Sequence, residues 1–317
     1  MPTEQMTSAN LPLSSSGRTY HVETRPGEMS NRILTVGDPT RAQLLSSLLT
    51  KEFFRHTSPR GFLTITGLYR NVPVTIVAIG MGLSMMDFFV RETRLVVQGP
   101  LAIVRLGSCG SLGAAGTGDL VVAESAFGIG RNFDYFTEMP TTTTTITATT
   151  SDEEEKKREP YLFWAAVQAD ERLTGLVKQE LQEVAEVFPG SVGNADGFYA
   201  SQGRPADAFW DANDGLLDEV RRRHPDVMAL EMESHMLFHL AKVSTGKDNQ
   251  QAPSVSAACA LVVFADRQGN RFISPEDSQQ KMLLAARALL DALVEYMPTQ
   301  DGLHPSAGSV WEGENLG

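Results

Sequence analysis

The stretch RILTVGDPTRAQLLSSLL, residues 32–49, contains the pattern that decides the fold. An apolar run ends at Gly37, and a leucine-rich segment follows Pro39. The leucines at positions 44, 45, 48 and 49 share one face of a helix. We therefore predict a buried strand, a turn at residues 37–39 and then a helix.

The same pattern occurs twice more along the chain. VPVTIVAIGMG (72–82) precedes the helix-like MMDFFVRETRLVV (85–97), and LAIVRLGSCGSLG (101–113) also ends in glycine and small residues. Continuous Val, Ile and Leu runs that alternate with helices are typical of a sheet covered on both faces. We predict an α/β fold, a single domain with a central mixed, largely parallel β-sheet flanked by helices. Ligands bind such sheets at the strand ends, so the three glycine-bearing ends are expected to share one site.

Composition narrows the functional class. The 317 residues are 42% hydrophobic, with a formal net charge of -12. This acidic balance disfavours nucleic-acid binding, which needs a basic surface. Cys109 and Cys259 lie in apolar stretches without CxxC spacing, so we expect neither a disulfide nor a metal site. No apolar run approaches the ~18 residues that span a bilayer, and the polar start lacks a signal-peptide pattern, so a cytoplasmic protein without membrane contact is expected.

The chain divides into one domain and two tails. Residues 1–17 are predicted to be a flexible tail, 18–297 the domain, and 298–317 a second flexible tail. A Thr-rich and charged insertion lies at about 139–160 and is expected to be solvated. Residues 273–297 form the closing amphipathic helix.

Arginines near the strand ends predict an anion site. Arg41 follows Gly37, and Arg105 and Ser108 flank Gly107. Glycine-rich turns, a hydroxyl and guanidinium groups together suit phosphate. Neither the full G-x-G-x-x-G pattern nor a phosphate-binding loop ending in G-K-[ST] occurs, so a dinucleotide site is weakly supported.

Other reactive side chains have ordinary interpretations. Cys109 has no base placed beside it and is interpreted as a packed small residue. His235 and His239 stand four apart, but the glutamate of a zinc-peptidase motif is missing, so both are interpreted as helix residues.

LEMES, residues 230–234, places two carboxylates at the seam between a strand and a helix. A carboxylate can accept hydrogen bonds from two neighbouring hydroxyls, and the thioether of Met232 offers a flexible apolar surface to a sugar ring. The alternative is that Glu231 and Glu233 only mark a helix N-terminus. The segment alone leaves both interpretations open.

VGDPTR (36–41), VRLGSCG (104–110), GFYASQGR (197–204) and LEMES occur in an order that resembles the nucleoside phosphorylase family, the group of uridine phosphorylases and bacterial-type purine nucleoside phosphorylases. The resemblance runs from about Tyr20 to Tyr296. It implies the nucleoside phosphorylase fold and a pentosyltransferase that uses inorganic phosphate as co-substrate, without an organic cofactor.

The resemblance also assigns roles by position. The implied phosphate-binding residues are Gly37, Arg41, Arg60, Arg105 and Ser108. The implied ribose-binding residues are His21, Met232 and Glu233, and the implied base-binding residues are Phe198, Gln202, Arg204 and Arg267. Arg105, Glu233 and Arg204 are the implied catalytic residues. In the family, the counterparts of Arg60 and His21 act in a neighbouring subunit, which implies at least a homodimer.

Base choice rests on few positions. Gln202 and Arg204 match the uracil-binding pair of uridine-specific members, which implies phosphorolysis of uridine to uracil and ribose 1-phosphate in pyrimidine salvage. Asp266 matches the purine-type acid of other members, so a purine or broad-specificity phosphorylase is the alternative. A hydrolytic nucleosidase and a nucleoside-binding protein without turnover are further alternatives. Gly61 stands where bacterial uridine phosphorylases have a cation-binding glutamate, which disfavours that interface cation.

Overall fold

The computed structural model describes residues 4–137, 159–246, 254–297 and 299–316. These contain eleven strands of one sheet, with helices on both faces. The strands are β1 (Arg32–Val36), β2 (Lys51–Thr57), β3 (Leu63–Tyr69), β4 (Val72–Ala78), β5 (Leu101–Ser111), β6 (Leu120–Arg131), β7 (Tyr161–Gln168), β8 (Val187–Ala195), β9 (Val227–Glu231), β10 (Val255–Asp266) and β11 (Arg271–Phe272). The helices are α1 (Pro39–Ser46), α2 (Leu83–Val96), α3 (Glu171–Gln182), α4 (Leu216–Arg223), α5 (Ser234–Lys242) and α6 (Pro275–Tyr296), with short 3₁₀ turns at Tyr135–Thr137 and Ala200–Gln202.

The sheet is mixed, as predicted, but less parallel than the sequence suggested. The order is β11-β10-β6-β8-β9-β5-β1-β4-β3-β2; in addition, β7 pairs with β6, and β10 pairs with β5. Strands β4, β1, β5 and β10 form a parallel centre, whereas β2, β3 and β4 form an antiparallel meander. The β3–β4 turn is tight because Arg70 and Asn71 both adopt positive φ, the conformation of a two-residue hairpin turn.

Two apolar layers hold the helices to the sheet. Neighbouring residues of β5 pack in opposite layers, because side chains alternate between the two faces along a strand. Ile103 packs with Phe89 of α2 and Phe238 of α5, whereas Val104 packs in the layer that contains Leu289 of α6. None of the described helices combines the length and apolar character that a bilayer crossing needs.

The parallel centre brings the predicted strand ends together. Val36 of β1 is in register with Ala78 of β4, and Thr35 is in register with Arg105 of β5. The glycine turns that follow β1 and β4 therefore lie beside the last part of β5. The side chain of Asp38 accepts a hydrogen bond from Arg41 N and starts α1 at this edge.

The C-terminal segment differs from the predicted flexible tail. Trp311 is only 2% exposed. The amide of Val310 donates to Gly27 O at 2.9 Å, and His304 N donates to Asn31 Oδ1 at 2.8 Å. A Cβ on Gly27 would lie 2.5 Å from Gly308 O, so the two segments pack backbone against backbone. Burial of one large aromatic ring explains how a Gly- and Ser-rich stretch becomes ordered.

The remaining boundary predictions concern the first tail and the insertion. From residue 4 to residue 17 the described chain is mostly exposed. The insertion predicted at about 139–160 lies outside the described residues except for its last two positions.

Candidate active site

A cavity of about 240 Å³ opens where β1, β4, β5, β9 and β10 end. Its walls include nine of the residues assigned from the sequence. These are Gly37, Arg41, Arg105, Ser108, Phe198, Gln202, Arg204, Met232 and Glu233. The predicted convergence of distant segments on one site therefore occurs in the fold.

Arg105 lies at the floor of the cavity and is 4% exposed. Its Nη2 donates to Glu233 Oε2, and its Nε lies 3.5 Å from Glu231 Oε2. Within the described part of the chain, Nε and Nη1 have no hydrogen-bond partner although both are buried. Because a buried unpaired donor is costly, these two atoms indicate that an acceptor-rich ligand completes the site.

A second cation stands across the cavity from this cluster. The Nη1 of Arg41 donates to Ser108 Oγ at 3.4 Å, and its Nε lies 2.8 Å from Asp38 Oδ2. Its guanidinium carbon is 4.9 Å from the centroid of the Phe264 ring. Burial lowers the pKa of Arg41 and the charge of Asp38 opposes that shift, so the group stays a cation at neutral pH. Two guanidinium groups and a hydroxyl around Gly37 form a pocket suited to phosphate.

The two carboxylates of LEMES have different roles. The Glu231 side chain accepts hydrogen bonds from Glu233 N at 2.8 Å, from Ser234 N at 3.0 Å and from Ser234 Oγ at 2.6 Å, so it satisfies the first turn of α5. Burial, reinforced by the charge of Glu233, raises the pKa of the Glu231 carboxyl well above its usual range. Glu233 instead accepts from Gly82 N at 2.5 Å and from Arg105, at the cavity wall. The helix-terminus interpretation therefore applies to Glu231, and for Glu233 the sugar-binding interpretation stays a prediction.

The opposite wall is formed by the loop after β8. Gln202 is 3% exposed, and its Oε1 accepts from Arg204 Nη1 at 2.6 Å. Arg204 also donates to Phe198 O at 2.7 Å, and its guanidinium carbon is 3.7 Å from the Phe198 ring centroid. Burial, with a smaller contribution from Arg267, lowers the pKa of Arg204 to about 10. An amide and a cation are thus held side by side, facing the cavity.

Arg267 and Asp266 do not line the cavity. Arg267 donates to Gln202 O at 2.9 Å and to Gly203 O at 3.2 Å, so it holds the backbone of the loop. Asp266 accepts from Gly269 N at 2.9 Å and pairs with Arg271 at 2.8 Å, which closes the β10–β11 hairpin. These hydrogen bonds lower the pKa of Asp266, which disfavours its use as a proton donor to a purine.

His21 and Arg60 also lie away from their own chain's cavity, and both contact Tyr20. Arg60 Nη2 donates to Tyr20 Oη at 3.1 Å, and the Tyr20 and His21 rings are 4.8 Å apart. The His21 ring stacks on Phe88 at 3.9 Å, and its Nδ1 lies 2.6 Å from Glu92 Oε1. The structure thus brings these two predicted site residues into one surface cluster.

Comparison with known proteins identifies the family. The model of the Phosphorylase superfamily matches residues 31–295. The chain belongs to the phosphorylase superfamily. The resemblance inferred from the four motifs is therefore confirmed.

Relatives of this phosphorylase include both uridine and purine enzymes. The chain is 26% identical over 291 residues to the uridine phosphorylase of Thermococcus kodakarensis, covering 90% of this chain and 91% of the relative. A DeoD-type purine nucleoside phosphorylase of Lactococcus lactis is 29% identical over 109 residues, covering 34% of this chain and 46% of the relative.

Solved structures give a similar result. A uridine phosphorylase from the oomycete Phytophthora capsici superposes with a TM-score of 0.80 at 30% identity, covering 91% of this chain and 98% of that chain. A Trypanosoma brucei nucleoside phosphorylase, described as showing uridine phosphorylase activity, superposes with a TM-score of 0.71 at 20% identity, covering 90% and 99% of the two chains. The predicted fold is confirmed by these superpositions.

Several wall residues of the phosphorylase cavity were not found from the sequence. Gly82 supplies a backbone N–H to Glu233, and Phe264 and Phe272 supply aromatic surface. Gly80 and Gly82 predicted the end of the strand, but not that the backbone N–H of Gly82 donates to Glu233. The two phenylalanines had no signal, because Phe264 ends an ordinary apolar run and Phe272 belongs to no recognisable motif. Cys109 also lines the cavity, and its burial raises the thiol pKa, which fits a packed residue and not a nucleophile.

Proposed function

We propose that this phosphorylase is a uridine phosphorylase, which catalyses the reversible phosphorolysis of uridine to uracil and ribose 1-phosphate. The observation that carries the proposal is that one cavity contains both the Gln202–Arg204 pair and the Arg105 cluster, which comprises Arg105, Arg41 and Ser108. The first pair suits the edge of uracil, because an amide both donates and accepts while a guanidinium donates. The second suits phosphate. No organic cofactor is needed, since phosphate itself is the second substrate.

Phosphate positioning is the first step of the proposed mechanism. Arg41, Arg105 and Ser108 hold the anion at the end of β5, and the Nη1 of Arg105, which has no hydrogen-bond partner among the described residues, is available as a donor. Phosphate attacks C1′ of the ribose as the bond to N1 of uracil breaks. Placement of the two reactants together supplies several kcal/mol of rate enhancement.

Glu233 stabilises the charge that develops on the sugar. Its carboxylate is buried at the cavity wall and accepts the 2′ and 3′ hydroxyls in addition to its two protein donors. The negative charge also stabilises the positive charge that develops on the ribose. Met232 packs beside the sugar.

Charge on the departing uracil is stabilised at the opposite wall. Arg204 donates to O4 of uracil, on which negative charge grows. The Gln202 amide donates to O2 and accepts from N3–H. Arg267 acts through the loop, because its guanidinium holds the carbonyls of Gln202 and Gly203. Phe198 packs on the base.

The complete enzyme is proposed to be at least a homodimer in the cytoplasm, with a role in pyrimidine salvage. Tyr20, His21 and Arg60 form a cluster outside the cavity of their own chain. A partner subunit uses such a cluster if His21 reaches the ribose 5′-hydroxyl and Arg60 reaches the phosphate of the neighbouring site. Neither His21 nor Arg60 lines the cavity of its own chain.

The test is base release from uridine and from inosine, each with and without inorganic phosphate, followed by chromatography of the products. We expect uracil and ribose 1-phosphate from uridine only when phosphate is present. Release of hypoxanthine in place of uracil refutes the base assignment and supports a purine enzyme. Phosphate-independent release indicates a hydrolase, and tight nucleoside binding without release indicates a binding protein.

A matched pair of variants connects the activity to the site. Arg204→Met removes the cation beside Gln202, whereas Arg222→Met removes an arginine that only pairs with Glu219 on the surface of α4. We expect the first variant to lose uridine phosphorolysis by at least about a hundredfold, the usual weight of one charge-stabilising donor, and the second to retain it.

A further inference from the structure

Glu92 is a buried acid on the sheet-facing side of α2. It is 8% exposed, and the other buried residues of this helix are apolar except for Thr93. Burial of a carboxylate among apolar neighbours is costly unless donors surround it. Packing of α2 therefore does not explain why an acid occupies this position.

The donors to Glu92 come from two adjacent residues of the N-terminal segment. His21 N donates at 3.0 Å, Val22 N donates at 2.8 Å, and His21 Nδ1 lies at 2.6 Å. Among the described residues, the only ion pair of Glu92 is with this histidine. The carboxylate thus fixes both the backbone and the ring of His21.

A second residue of α2 fixes the plane of the ring. Phe88, one turn before Glu92, stacks on the His21 imidazole with a centroid distance of 3.9 Å and an interplanar angle of 3°. One ring face and one ring nitrogen are therefore held by the same helix. The side chain of His21 remains 24% exposed.

The hydrogen bonds also define the protonation pattern of the ring. A carboxylate oxygen only accepts, so the proton of the contact belongs to Nδ1. In the neutral imidazole, Nε2 then carries the lone pair and accepts from a hydroxyl. A free histidine would distribute its proton over both nitrogens and its ring over several rotamers.

We propose that Glu92 is a positioning residue of the reaction, which fixes the orientation and the tautomer of His21 so that Nε2 accepts the 5′-hydroxyl of the nucleoside bound by the partner subunit. This inference rests on the proposed function. Glu92 touches no substrate itself, and its effect is specific to the 5′-hydroxyl. Substrates without that group are insensitive to it.

The test compares uridine with 5′-deoxyuridine in Glu92→Gln, which keeps the size of the side chain and loses the carboxylate. A glutamine amide has only one acceptor oxygen, whereas both oxygens of Glu92 accept, so the amide cannot hold the Nδ1 proton and the backbone N–H groups together. We expect kcat/KM for uridine to fall about tenfold, the weight of one well-placed hydrogen bond, while kcat/KM for 5′-deoxyuridine changes less than about twofold. Asp87→Asn is the matched control, because in the described part of the chain Asp87 pairs with Arg91 of the same helix and not with His21.

Two further variants keep the inference testable if Glu92→Gln is poorly folded. Phe88→Leu removes only the ring stacking and should reduce the preference for uridine in the same direction. His21→Ala should abolish the preference, and addition of Glu92→Gln to it should have no further effect on the ratio of the two substrates.

The outcomes separate the inference from the proposed function. An equal fall for both substrates in Glu92→Gln means that the acid is merely structural and overturns the inference. A wild-type enzyme that cleaves uridine with phosphate but shows no preference over 5′-deoxyuridine overturns the inference and leaves the function standing. Failure of the wild-type enzyme to cleave uridine refutes the function itself.

Discussion

Gln202→Leu is the substitution that most directly tests how the cavity chooses its base. Leucine fills nearly the same volume, and Gln202 is 3% exposed, so the loop keeps its packing. The carbonyl contacts from Arg267 are to the backbone and survive the change. Arg204 keeps its hydrogen bond to Phe198 O. The substitution therefore removes the amide and the hydrogen bond that Arg204 Nη1 donates to it, and leaves these other contacts in place.

The expected loss follows from the hydrogen bonds that the amide makes to uracil. Two neutral hydrogen bonds contribute about 1 kcal/mol each, and a uracil polar atom left unpaired in a buried site adds about 1 kcal/mol or more. A total of about 3 kcal/mol corresponds to a decrease of roughly a hundredfold in kcat/KM, at 1.36 kcal/mol for each factor of ten.

The assay is phosphorolysis of uridine at saturating phosphate, with Gln182→Leu, at an exposed position of α3, as the matched control. The dependence of the rate on phosphate concentration should be unchanged in Gln202→Leu, because the Arg105 cluster is untouched. A decrease of kcat/KM by less than threefold would refute the assignment of Gln202 to the base. A large decrease in phosphate affinity would show that the loop acts on the other end of the cavity.

Three further substitutions test the buried charges and the C-terminal segment. Arg105→Met leaves two buried carboxylates without their cation, so the free energy of unfolding in urea should fall by about 3–5 kcal/mol, and a change below 1 kcal/mol would contradict the proposed role of the cluster. Because the folded-state pKa of Glu231 is raised above 4.5, its contribution to stability is present below that pH and is lost as the pH rises through the folded value. Between pH 4.5 and pH 8, Glu231→Gln should therefore lose less unfolding free energy than the wild type in parallel urea titrations. An equal pH dependence in both proteins would refute the raised pKa of Glu231. Trp311→Ala should lower the unfolding free energy by about 3–5 kcal/mol, as for other buried tryptophans, and an unchanged melting temperature would show that the segment contributes nothing.

The positions of the residues at the proposed phosphate end of the site could be predicted from the sequence because they follow from the sheet. Parallel strands end at a common edge, and the glycines after β1 and β4 mark two of those ends. The register of Thr35 with Arg105 then places Ser108 and Arg41 within reach of each other. Patterns of apolar runs and glycines were sufficient for this part.

The base end could not be derived in the same way. The loop at residues 197–204 has no regular pattern, and only the family resemblance drew attention to Gln202 and Arg204. Its shape depends on Gly203, whose φ of 60 lies in the left-handed region, and on Arg267, which binds its carbonyls from another segment. Contacts between a side chain and a distant backbone carbonyl leave no trace in local sequence.

The flexible C-terminal tail predicted from composition differs from the structure for a related reason. Residues 298–317 are rich in glycine, serine and polar side chains, which favours disorder. A single buried tryptophan and a few backbone hydrogen bonds nevertheless order it, because Gly27 and Gly99 allow the two backbones to approach closely. Such packing depends on the partner segment, about 280 residues earlier for Gly308 and Gly27.

The two acids of LEMES show how hydrogen-bond accounting separates a structural carboxylate from a ligand-binding one. Each carboxylate offers about four acceptor positions. Those of Glu231 receive donors from Glu233 N, Ser234 N and Ser234 Oγ, and the dipole of α5 favours its charge further. Among the described residues, Glu233 receives donors only from Gly82 N and Arg105, although it is equally buried. Both carboxylates line the cavity, but Glu233 is the one with unused acceptor positions, and these match the two vicinal hydroxyls of the proposed ribose.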